Sequence, residues 1–363
     1  MSSQFSAAIC RSFKAPLSIE PVTLSAPEAQ FVEVTLGAVA ICHSDISYAD
    51  GGWGGALPLV LGHEAAGKIT ALGPDTDGFD HGDRVVVTLI RACGTCPSCA
   101  DASPTQCERP SGNPSLMTDA QGDVVSTAMN CGAFAEKVVV HRSQIVKIPQ
   151  TMPYDVASLV ACGVITGIGA AVNAANIRPG EDVVVIGAGG VGLNAIQGAR
   201  LAGARRIVAV DMHAEKLADA KEFGATDGVL AGPEADAQVA DLLGRPADVV
   251  MVSVGLGKVY SHATNFIGPR GRLVMLGMPH AGDTSEYDAS SVAAYSQKFI
   301  GTKMGNVVPA RDIPWIMDLY LQGRLNLDAL ISRRWRFDEI NDAIEDTKTG
   351  KARRNVIVFE GVS

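Results

Sequence analysis

The 363-residue chain is long enough for two domains of roughly 100 to 200 residues each. It is acidic, with 30 Lys and Arg against 39 Asp and Glu and a formal net charge of −9. Because no basic run could follow a phosphate backbone, nucleic acid is excluded as an expected partner. The N-terminus has no apolar stretch of signal-peptide length, so we expect a cytoplasmic protein.

The first predicted elements are short β-rich runs broken by Gly, Pro and Asp. They include the segments FVEVTLGAVAI, GKITALG, DRVVVTLI and AEKVVVHRSQIVKIP. Short strands separated by turn residues are typical of antiparallel sheets and barrels. The N-terminal part of the chain is therefore predicted to form a β-rich, barrel-like domain.

Two thiols and an imidazole lie in three separate segments. Cys42 lies in CHSD, His63 is followed by Glu64 in GHEAAG, and Cys162 lies in ACGVITG. Taken singly, a cysteine is commonly a small buried residue and a lone histidine a packed one. Taken together, two thiolates and one imidazole form an open zinc site that keeps a position for water or substrate. The spacing alone leaves both interpretations open.

Four of the eight cysteines lie in one short loop: Cys93, Cys96, Cys99 and Cys107. Turn residues between them allow the four sulfur atoms to reach one tetrahedral centre. Four thiolates leave no open position, so the predicted zinc ion is structural. The alternatives are two disulfides or a redox Cys-x-x-Cys pair, and a reducing compartment disfavours the disulfides.

Residues 156–177 form an apolar segment that meets the minimum length for a membrane span. The segment also contains Ser, Thr, two Asn and three Gly, which are unfavourable in a span, and a strand and helix pattern follows directly. We therefore expect a buried core segment and no membrane.

Residues 181–211 have the pattern of a strand, a glycine-rich turn, a helix and a second strand. In the turn, Gly187 permits a tight bend, Gly189 lets the backbone approach a pyrophosphate, and Gly192 allows close helix packing. Asp211 ends the second strand at about the distance expected for a carboxylate that binds the adenosine ribose. A 2′-phosphate would meet a like charge there, so the predicted cofactor is NAD rather than NADP.

Further apolar runs at residues 249–254 and 273–277 continue the alternation of strands and helices. This pattern predicts an α/β fold with a doubly wound parallel sheet, the Rossmann fold. After residue 305 the pattern becomes helical, and the final strand RNVIVFE is expected to return to the first domain. The predicted domains are 1–163 with 304–363, and 164–303.

The motifs together resemble those of the zinc-dependent medium-chain dehydrogenases, and within them the alcohol dehydrogenases. CHSD, GHEAAG, the four-cysteine loop, ACGVITG, GAGGVG, VD with Lys216 downstream, and GKARRNVIVF follow that family's order and spacing. The resemblance covers nearly the whole chain. It implies that the β-rich domain is GroES-like and that the enzyme holds two zinc ions per subunit and NAD.

The resemblance also implies roles for individual residues. The catalytic zinc would be bound by Cys42, His63 and Cys162 with Glu64 beside it, and the structural zinc by Cys93, Cys96, Cys99 and Cys107. NAD would bind across Gly187, Gly189, Gly190, Gly192, Asp211 and Lys216, with His43 and Arg354 facing its pyrophosphate. Trp53, Leu89 and Phe134 would line the substrate channel, although ordinary core packing would equally explain these three residues.

The implied reaction moves hydride from a primary, secondary or aromatic alcohol to NAD and yields an aldehyde or ketone, with Ser44 accepting the alcohol proton. Many relatives carry a histidine where this chain has Ser47, so the proton route beyond Ser44 is open. A glutathione-dependent formaldehyde dehydrogenase, or a polyol dehydrogenase of the same family, is the alternative. A non-enzymatic dinucleotide-binding protein or a zinc-ribbon interaction module is disfavoured by the retained ligand set and the acidic charge.

Two further expectations concern residues outside these motifs. Cys10 and Cys131 are predicted to be small buried residues without a chemical role. We expect a homodimer or homotetramer that pairs Rossmann sheets edge to edge, with the GRLVMLGMP run as the expected contact.

Overall fold

The computed structural model describes residues 3–109 and 116–362. These residues divide into two compact units, Met1–Cys162 with Val308–Ser363, and Gly163–Val307. The sequence predicts two domains, 1–163 with 304–363 and 164–303. That these ranges are independently folding domains stays a prediction.

Strands and helices are numbered in chain order. The strands of the first half are β1 Ser3–Cys10, β2 Ser18–Leu24, β3 Phe31–Ala40, β4 Leu59–Val60, β5 Glu64–Leu72, β6 Arg84–Thr88, β7 Met117–Asp119, β8 Val124–Thr127, β9 Lys137–His141 and β10 Ile145–Lys147. The later strands are β11 Asp182–Ile186, β12 Arg206–Asp211, β13 Asp227–Leu230, β14 Ala247–Val252, β15 Ile267–Met275, β16 Lys298–Gly301, β17 Ile331–Arg336 and β18 Arg354–Val358.

The helices are α1 His43–Ala49, α2 Pro97–Ala100, α3 Tyr154–Leu159, α4 Ile165–Gly169, α5 Gly190–Leu201, α6 Ala214–Glu222, α7 Ala235–Leu243, α8 Gly257–Ala263, α9 Ala289–Ala294, α10 Pro309–Leu321 and α11 Ile340–Lys348. Short 3₁₀ turns cover Pro104–Gln106, Ala128–Asn130, Arg142–Gln144, Thr264–Phe266, Met304–Asn306, Asp328–Leu330 and Phe337–Glu339.

The first unit is β-rich, as predicted. Its described strands form a small closed barrel in the order β1-β2-β7-β8-β4 and a second sheet in the order β10-β6-β5-β3-β18-β17, with β9 paired to β3. Where β5 pairs with β3, the backbone of Gly67 lies close to that of Thr35. A Cβ atom on Gly67 would lie 2.2 Å from the Thr35 carbonyl oxygen, so only glycine fits there. The final strand β18 does return to this unit and pairs with β3.

Strand β17 is absent from the sequence prediction because three of its six residues, ISRRWR, are charged. It lies at the edge of the sheet, and in this strand only Trp335 is buried. The Trp335 indole N–H donates to Asn355 Oδ1 at 3.0 Å, which fixes the strand against β18.

The apolar segment is a helical rod over Tyr154–Ala174, and 89% of its most apolar window is buried. It is the one helix among the described residues that is long and apolar enough to cross a membrane, and its burial confirms the core-segment prediction. The α-helical stretches α3 and α4 alternate with two wider π-helical turns, Val160–Val164 and Ala170–Ala174. Such π turns often occur at functional sites, and the first one contains Cys162.

The second unit is a Rossmann fold, which confirms the predicted fold class. Its described strands form a parallel six-stranded sheet in the order β13-β12-β11-β14-β15-β16. Every residue of β11 is buried, because helices cover both faces of a parallel sheet. Within the GRLVMLGMP run, β15 is paired on both sides, and the open edge of the described sheet on that side is β16; the subunit contact itself stays a prediction.

Candidate active site

Four side chains from distant parts of the chain converge in the first unit. One ligand atom from each of Cys42, His63, Glu64 and Cys162 lies within 4.8 Å of the others, and all four residues are buried. Cys42 is the residue before α1, and Cys162 lies in the first π turn. His63 and Glu64 lie at the start of β5. The candidate ligands that the sequence could only group by resemblance are therefore neighbours in space.

The donor set fits a zinc ion. Two sulfur atoms and an imidazole nitrogen are the ligand types that zinc prefers at catalytic sites. The buried atoms His63 Nε2 and Glu64 Oε1 have no hydrogen-bond partner, and they lie 3.9 Å apart. A buried polar atom without a partner is costly, so a cation among these atoms would remove that cost.

Asp45 is hydrogen-bonded to two residues of this cluster, Cys42 and His63. The sequence prediction did not include it. Its buried carboxylate accepts hydrogen bonds from the Cys42 N–H at 3.2 Å, the Gly62 N–H at 2.9 Å and His63 Nδ1 at 3.0 Å. Burial opposes protonation of His63, but the Asp45 carboxylate outweighs burial and holds the pKa of His63 well above its usual range. With the proton on Nδ1, Nε2 is the nitrogen that faces the metal position.

The two buried thiols Cys42 and Cys162 are coupled through a hydrogen bond. The hydrogen bond from the Cys162 thiol, helped by His63 and Arg354, lowers the pKa of Cys42 well below its usual range. The same hydrogen bond, together with burial, raises the pKa of Cys162 well above its usual range. A thiolate beside a thiol is the arrangement that a metal cation converts into two thiolate ligands.

Glu64 and Arg354 form a buried ion pair at the edge of the cluster. Arg354 Nη2 donates to Glu64 Oε2, and both side chains are almost fully buried. Burial raises the pKa of Glu64 to about 7, against the opposing charge of Arg354. In this structure the Arg354 guanidinium contacts Glu64, and its expected contact with a pyrophosphate stays a prediction.

Ser44, the expected proton acceptor, and His43 are the first two residues of α1, directly after Cys42. His43 is the exposed first residue of α1, and Ser44 is the half-buried second residue. Ser47 is half-buried one turn later in the same helix. The short helix therefore carries Ser44 two residues after the candidate metal ligand Cys42.

The three expected pocket residues have different environments. Trp53 is half-buried and packs edge to face against Tyr48, with ring centroids 5.4 Å apart. Leu89 is partly buried against the core of the first unit. Phe134 has no exposed surface, because its backbone and ring pack directly against Gly62. Phe134 is therefore core packing behind His63, and Tyr48 is an aromatic neighbour that the sequence did not reveal.

The four-cysteine loop forms a second cluster. The sulfur atoms of Cys93, Cys96, Cys99 and Cys107 lie within 4.8 Å of one another, and none of the eight cysteines, all among the described residues, forms a disulfide. Backbone N–H groups point at these sulfur atoms, from Cys96 to Cys93 at 3.3 Å and from Cys93 to Cys107 at 3.4 Å. The backbone hydrogen bonds of Thr95 and Cys96 lower the pKa of Cys93 to about 6. Four sulfur atoms in this arrangement fit a closed structural zinc site.

The glycine-rich turn of the second unit has the close contacts that the motif requires. Gly187 has a φ of +93°, and a Cβ atom there would lie 2.6 Å from Ser253 Oγ. A Cβ atom on Gly192 would lie 1.8 Å from the Gly187 carbonyl oxygen. Only glycine fits at these two positions, which brings the N-terminus of α5 against the end of β11.

The same turn leaves room for an anionic group. A Cβ atom on Gly189 would meet nothing within 4 Å, and Gly190 is the first residue of α5. The Asp211 carboxylate is fixed by the N–H groups of Ala188 at 2.8 Å and His213 at 3.0 Å. Each carboxylate oxygen keeps a lone pair for a ribose hydroxyl, so these residues fit a dinucleotide.

Lys216 is half-buried in the first turn of α6, the helix that follows Asp211. The expected cofactor residues of the second unit thus lie on the β11-α5-β12-α6 segment. A β-rich unit with two metal-binding clusters, joined in one chain to a Rossmann unit with a dinucleotide cradle, defines a metal-dependent dehydrogenase.

Comparison with known proteins agrees with this class. Residues 28–150 match the alcohol dehydrogenase GroES-like domain, and residues 190–322 match the zinc-binding dehydrogenase domain. Alcohol dehydrogenase B of Mycobacterium tuberculosis is 35% identical over 364 residues, which cover 96% of each chain. The chain belongs to the zinc-containing medium-chain alcohol dehydrogenase family.

Two solved structures share the whole fold. An alcohol dehydrogenase zinc-binding domain protein from Burkholderia ambifaria is 32% identical with a TM-score of 0.95, covering 99% of this chain and 100% of the other. The benzyl alcohol dehydrogenase of Acinetobacter calcoaceticus is 28% identical with a TM-score of 0.93, covering 98% of this chain and 99% of the other.

Proposed function

We propose that the protein is an NAD-dependent zinc alcohol dehydrogenase that oxidises a primary or secondary alcohol to an aldehyde or ketone. The observation that carries this proposal is the convergence of Cys42, His63 and Cys162 around the partnerless Nε2 atom of His63. These three residues would hold the catalytic zinc, and Glu64, which is tied to Arg354, would lie beside it. The four-cysteine loop would hold the second zinc of each subunit.

A zinc ion bound by these residues supplies a Lewis acid that lowers the pKa of an alcohol and stabilises the developing alkoxide charge. Asp45 keeps the His63 ring in the tautomer whose Nε2 lone pair faces the metal position. Ser44 Oγ accepts the alcohol proton, because α1 places it two residues after Cys42. A bound nicotinamide supplies the hydride acceptor.

The proton then leaves Ser44 through a ribose hydroxyl of the cofactor, and from there through water near Ser47 or through His43. A hydroxyl can accept and donate a proton in one relay step but does not hold a charge as an imidazole does. Ser47 and the exposed His43 are the two candidates for the next step, on the same short helix. If Ser47→Ala leaves both the rate and its pH dependence unchanged, His43 carries the proton.

The cofactor is proposed to be NAD. The Asp211 carboxylate is fixed by the N–H groups of Ala188 and His213, so it cannot rotate away from a ribose placed at the end of β12. A 2′-phosphate on that ribose would be repelled by the carboxylate. Gly187, Gly189, Gly190, Gly192 and Lys216 complete the proposed cofactor site.

The substrate is proposed to be an alcohol with an apolar or aromatic group. The half-buried ring of Trp53 and its neighbour Tyr48 give the loop after α1 an aromatic surface, and Leu89 adds an apolar side chain. The similarity to a benzyl alcohol dehydrogenase supports this substrate class. Aromatic side chains favour aromatic substrates through ring contacts.

The enzyme is proposed to act in the cytoplasm as a homodimer or homotetramer. A reducing compartment keeps the thiol ligands free for zinc. The edge strand β16 has unpaired backbone groups on one side in the described sheet, and pairing with the same strand of a second subunit would satisfy them.

The test is a screen of NADH formation with primary, secondary, aromatic and glutathione-conjugated alcohols. Each reaction is run with NAD and with NADP, and with and without a zinc chelator. We expect activity on apolar alcohols with NAD and its loss after chelation. Elemental analysis that found only one zinc per subunit, held by the four-cysteine loop, would overturn the proposed function.

A further inference from the structure

Gln144 is a fully buried glutamine at the end of the 3₁₀ turn between β9 and β10. Its Oε1 accepts the His141 N–H at 3.2 Å, so the amide group faces the other way. The amide Nε2 donates to two backbone carbonyl oxygens, those of Thr88 and Asn130, each at 3.0 Å. One side chain thus connects three separate backbone segments.

The first carbonyl belongs to the strand that flanks Glu64. Thr88 is the last residue of β6, and it pairs directly with Glu64 in the antiparallel ladder of β5 and β6. The hydrogen bond from Gln144 therefore fixes the end of β6 at the point where β5 carries its metal-site carboxylate. Without this bond, the carbonyl of Thr88 would be left buried at the end of the strand.

The second carbonyl belongs to a strained loop. Met129 and Asn130 have φ values of +50° and +59°, a region that residues other than glycine rarely adopt. Gly132 follows with a φ of +67°, and a Cβ atom there would lie 2.6 Å from Thr127 Cγ2. Such strain persists only where neighbouring contacts fix the backbone, and Gln144 supplies one of these contacts.

The strained loop leads into Ala133 and Phe134, which are hydrogen-bonded to the two residues before His63. The N–H groups of Ala133 and Phe134 donate to the carbonyl oxygens of Gly62 at 2.9 Å and Leu61 at 2.8 Å. The N–H of Gly62 in turn donates to Asp45 Oδ1. A displaced loop would therefore move the backbone of Gly62, and with it both the imidazole of His63 and its carboxylate partner.

We propose that Gln144 is a positioning residue of the catalytic metal site. It acts through the backbone of Thr88 on one side of the His63–Glu64 pair and through that of Asn130 on the other. Its hydrogen bonds with His141, Thr88 and Asn130 all go to backbone atoms. This role rests on the proposed zinc-dependent function. Gln144 would be a second residue, besides Asp45, that keeps the metal ligands in position.

The Cys131 thiol lies in the same arrangement. It is fully buried, 3.6 Å from the Gln144 amide nitrogen. Burial, together with the nearby charge of Asp45, raises the pKa of Cys131 far above its usual range, so it remains a neutral thiol. Cys131 therefore packs between Gln144 and Asp45 and adds no charge to the site.

The experiment compares zinc release from the two sites of the purified enzyme loaded with two zinc ions. Gln144→Met keeps the buried volume and removes the hydrogen bonds to the Thr88 and Asn130 carbonyls, together with the acceptor for the His141 N–H. With a chromogenic chelator, we expect the catalytic zinc of this variant to leave at least ~10-fold faster, the lower bound for loss of an outer partner. Release from the four-cysteine site should change much less, because the turn that carries Gln144 reaches that loop through Ser143 and not through the Gln144 amide. In enzyme with cobalt at the catalytic site, the visible absorption bands should shift.

Gln197→Met is the matched control, because Gln197 is also fully buried but lies on α5 in the second unit. Its amide donates to Asn194 at 3.1 Å, so the variant also loses a buried hydrogen bond. This control should retain the wild-type release rate and cobalt spectrum. If Gln144→Met does not fold, Gln144→Asn replaces it, since the shorter amide can reach only one carbonyl and should give a smaller change in the same direction.

Two results would overturn the proposal while leaving the proposed function intact. One is a wild-type release rate and cobalt spectrum in the folded Gln144 variant. The other is an equal acceleration in Gln197→Met, which would show a general loss of stability. Failure of the proposed function gives a different result, because the wild-type protein itself would then hold only one zinc per subunit.

Discussion

The two metal clusters of the first unit are built in opposite ways. The four-cysteine cluster takes all its sulfur atoms from one short loop, and three of its four cysteines are partly exposed. The candidate active site takes its atoms from Cys42, His63, Glu64 and Cys162, and all four are buried. Backbone N–H groups of the loop itself surround the first cluster, whereas side chains from other strands and helices support the second.

This difference teaches how a closed site and an open site are made from similar ligands. Four thiolates complete a tetrahedral shell and leave no position for a substrate. In the buried cluster, Arg354 binds Oε2 of Glu64, so under the proposed function Cys42, His63 and Cys162 hold the ion and Glu64 lies beside the fourth position. The open site needs support from outside its own ligands because each ligand comes from a different element.

The largest effect is expected from removing a ligand of the open site. Cys162→Ala should reduce the zinc content from two ions to one per subunit. Because the metal contributes several kcal/mol of charge stabilisation, kcat/KM should fall by at least about 1000-fold. Elemental analysis and steady-state kinetics measure the two effects.

Cys10→Ala is the control, since Cys10 is also buried and its thiol donates to the Ser12 carbonyl outside the cluster. A variant that kept two zinc ions would contradict the ligand assignment.

Removing a ligand of the closed site should act on stability instead. Cys107→Ser should release the loop zinc, and the lost folding free energy should lower Tm by roughly 5–10 °C. The activity per catalytic zinc should remain close to wild type at a temperature where the variant is folded. Calorimetry and kinetics on the same sample measure both quantities.

Ser98→Ala is the matched control for this loop. Ser98 lies in α2 and donates to Glu108, so the variant loses a hydrogen bond of the loop but keeps all four thiols. Its Tm should fall by much less than that of Cys107→Ser. If Cys107→Ser lost as much activity as Cys162→Ala, the separation of the two sites into structural and catalytic roles would be wrong.

The same contrast explains how much of each site the sequence could predict. The closed site is local, so its spacing and turn residues were sufficient to group its four ligands. The open site depends on pairing between β3, β5 and the rod that contains Cys162, and its ligands were grouped only by resemblance to a family. Asp45 and Gln144 were missed because their roles follow from contacts with residues far along the chain. The acid three positions after Cys42 in CHSD was the available signal for Asp45.

The fold shows a similar division. The Rossmann unit was predictable because its strands are continuous apolar runs and its glycines have a fixed pattern. Strand β17 was not predicted because three of its six residues are charged, as an exposed edge strand tolerates, and only Trp335 marks its buried face. The burial of Phe134 and the pairing of Arg354 with Glu64 likewise depend on packing that no local pattern records.

A smaller effect is expected from changing the support of the open site while keeping its ligands. Asp45→Asn removes the charge that fixes the His63 tautomer, so the affinity for the catalytic zinc should fall by about 10- to 100-fold. The loop zinc should be unaffected. Competition with a chelator of known affinity measures the change. Asp50→Asn is the control on the adjacent C-cap of α1, and a similar loss there would show that helix stability, rather than the contact with His63, is responsible.

The smallest effect is expected where the closed site joins the rest of its unit. Ser143 Oγ accepts the N–H of Ala92, the residue before Cys93, and lies 2.8 Å from His141 Nδ1. The Ser143 N–H also points at His141 Nδ1, while Nε2 faces Gln30 Oε1. A neutral ring satisfies all these contacts. Burial, with the charges of Arg91 and Arg142, lowers the pKa of His141 to about 4.

The pH dependence follows from this lowered pKa. In the unfolded chain the imidazole has a pKa of about 6.5, so between about pH 6.5 and pH 4 the unfolded state binds more protons. The free energy of unfolding therefore contains a contribution that is complete above about pH 6.5 and is lost as the pH falls towards 4. We expect this contribution to be about 1–2 kcal/mol, since one pKa unit corresponds to about 1.4 kcal/mol and solvent reduces the effect.

Urea unfolding at pH 7, 6 and 5 measures this contribution as the difference between wild type and His141→Gln. The variant should lose less stability than wild type over this range, because its side chain does not titrate. His280→Gln is the control, since His280 is exposed in a loop of the second unit and its replacement should leave the pH dependence unchanged. Parallel curves for wild type and His141→Gln would show that the neutral ring contributes nothing to the attachment of the closed site. The four-cysteine loop would then be held in place by its backbone hydrogen bonds and its zinc ion, without a contribution from His141.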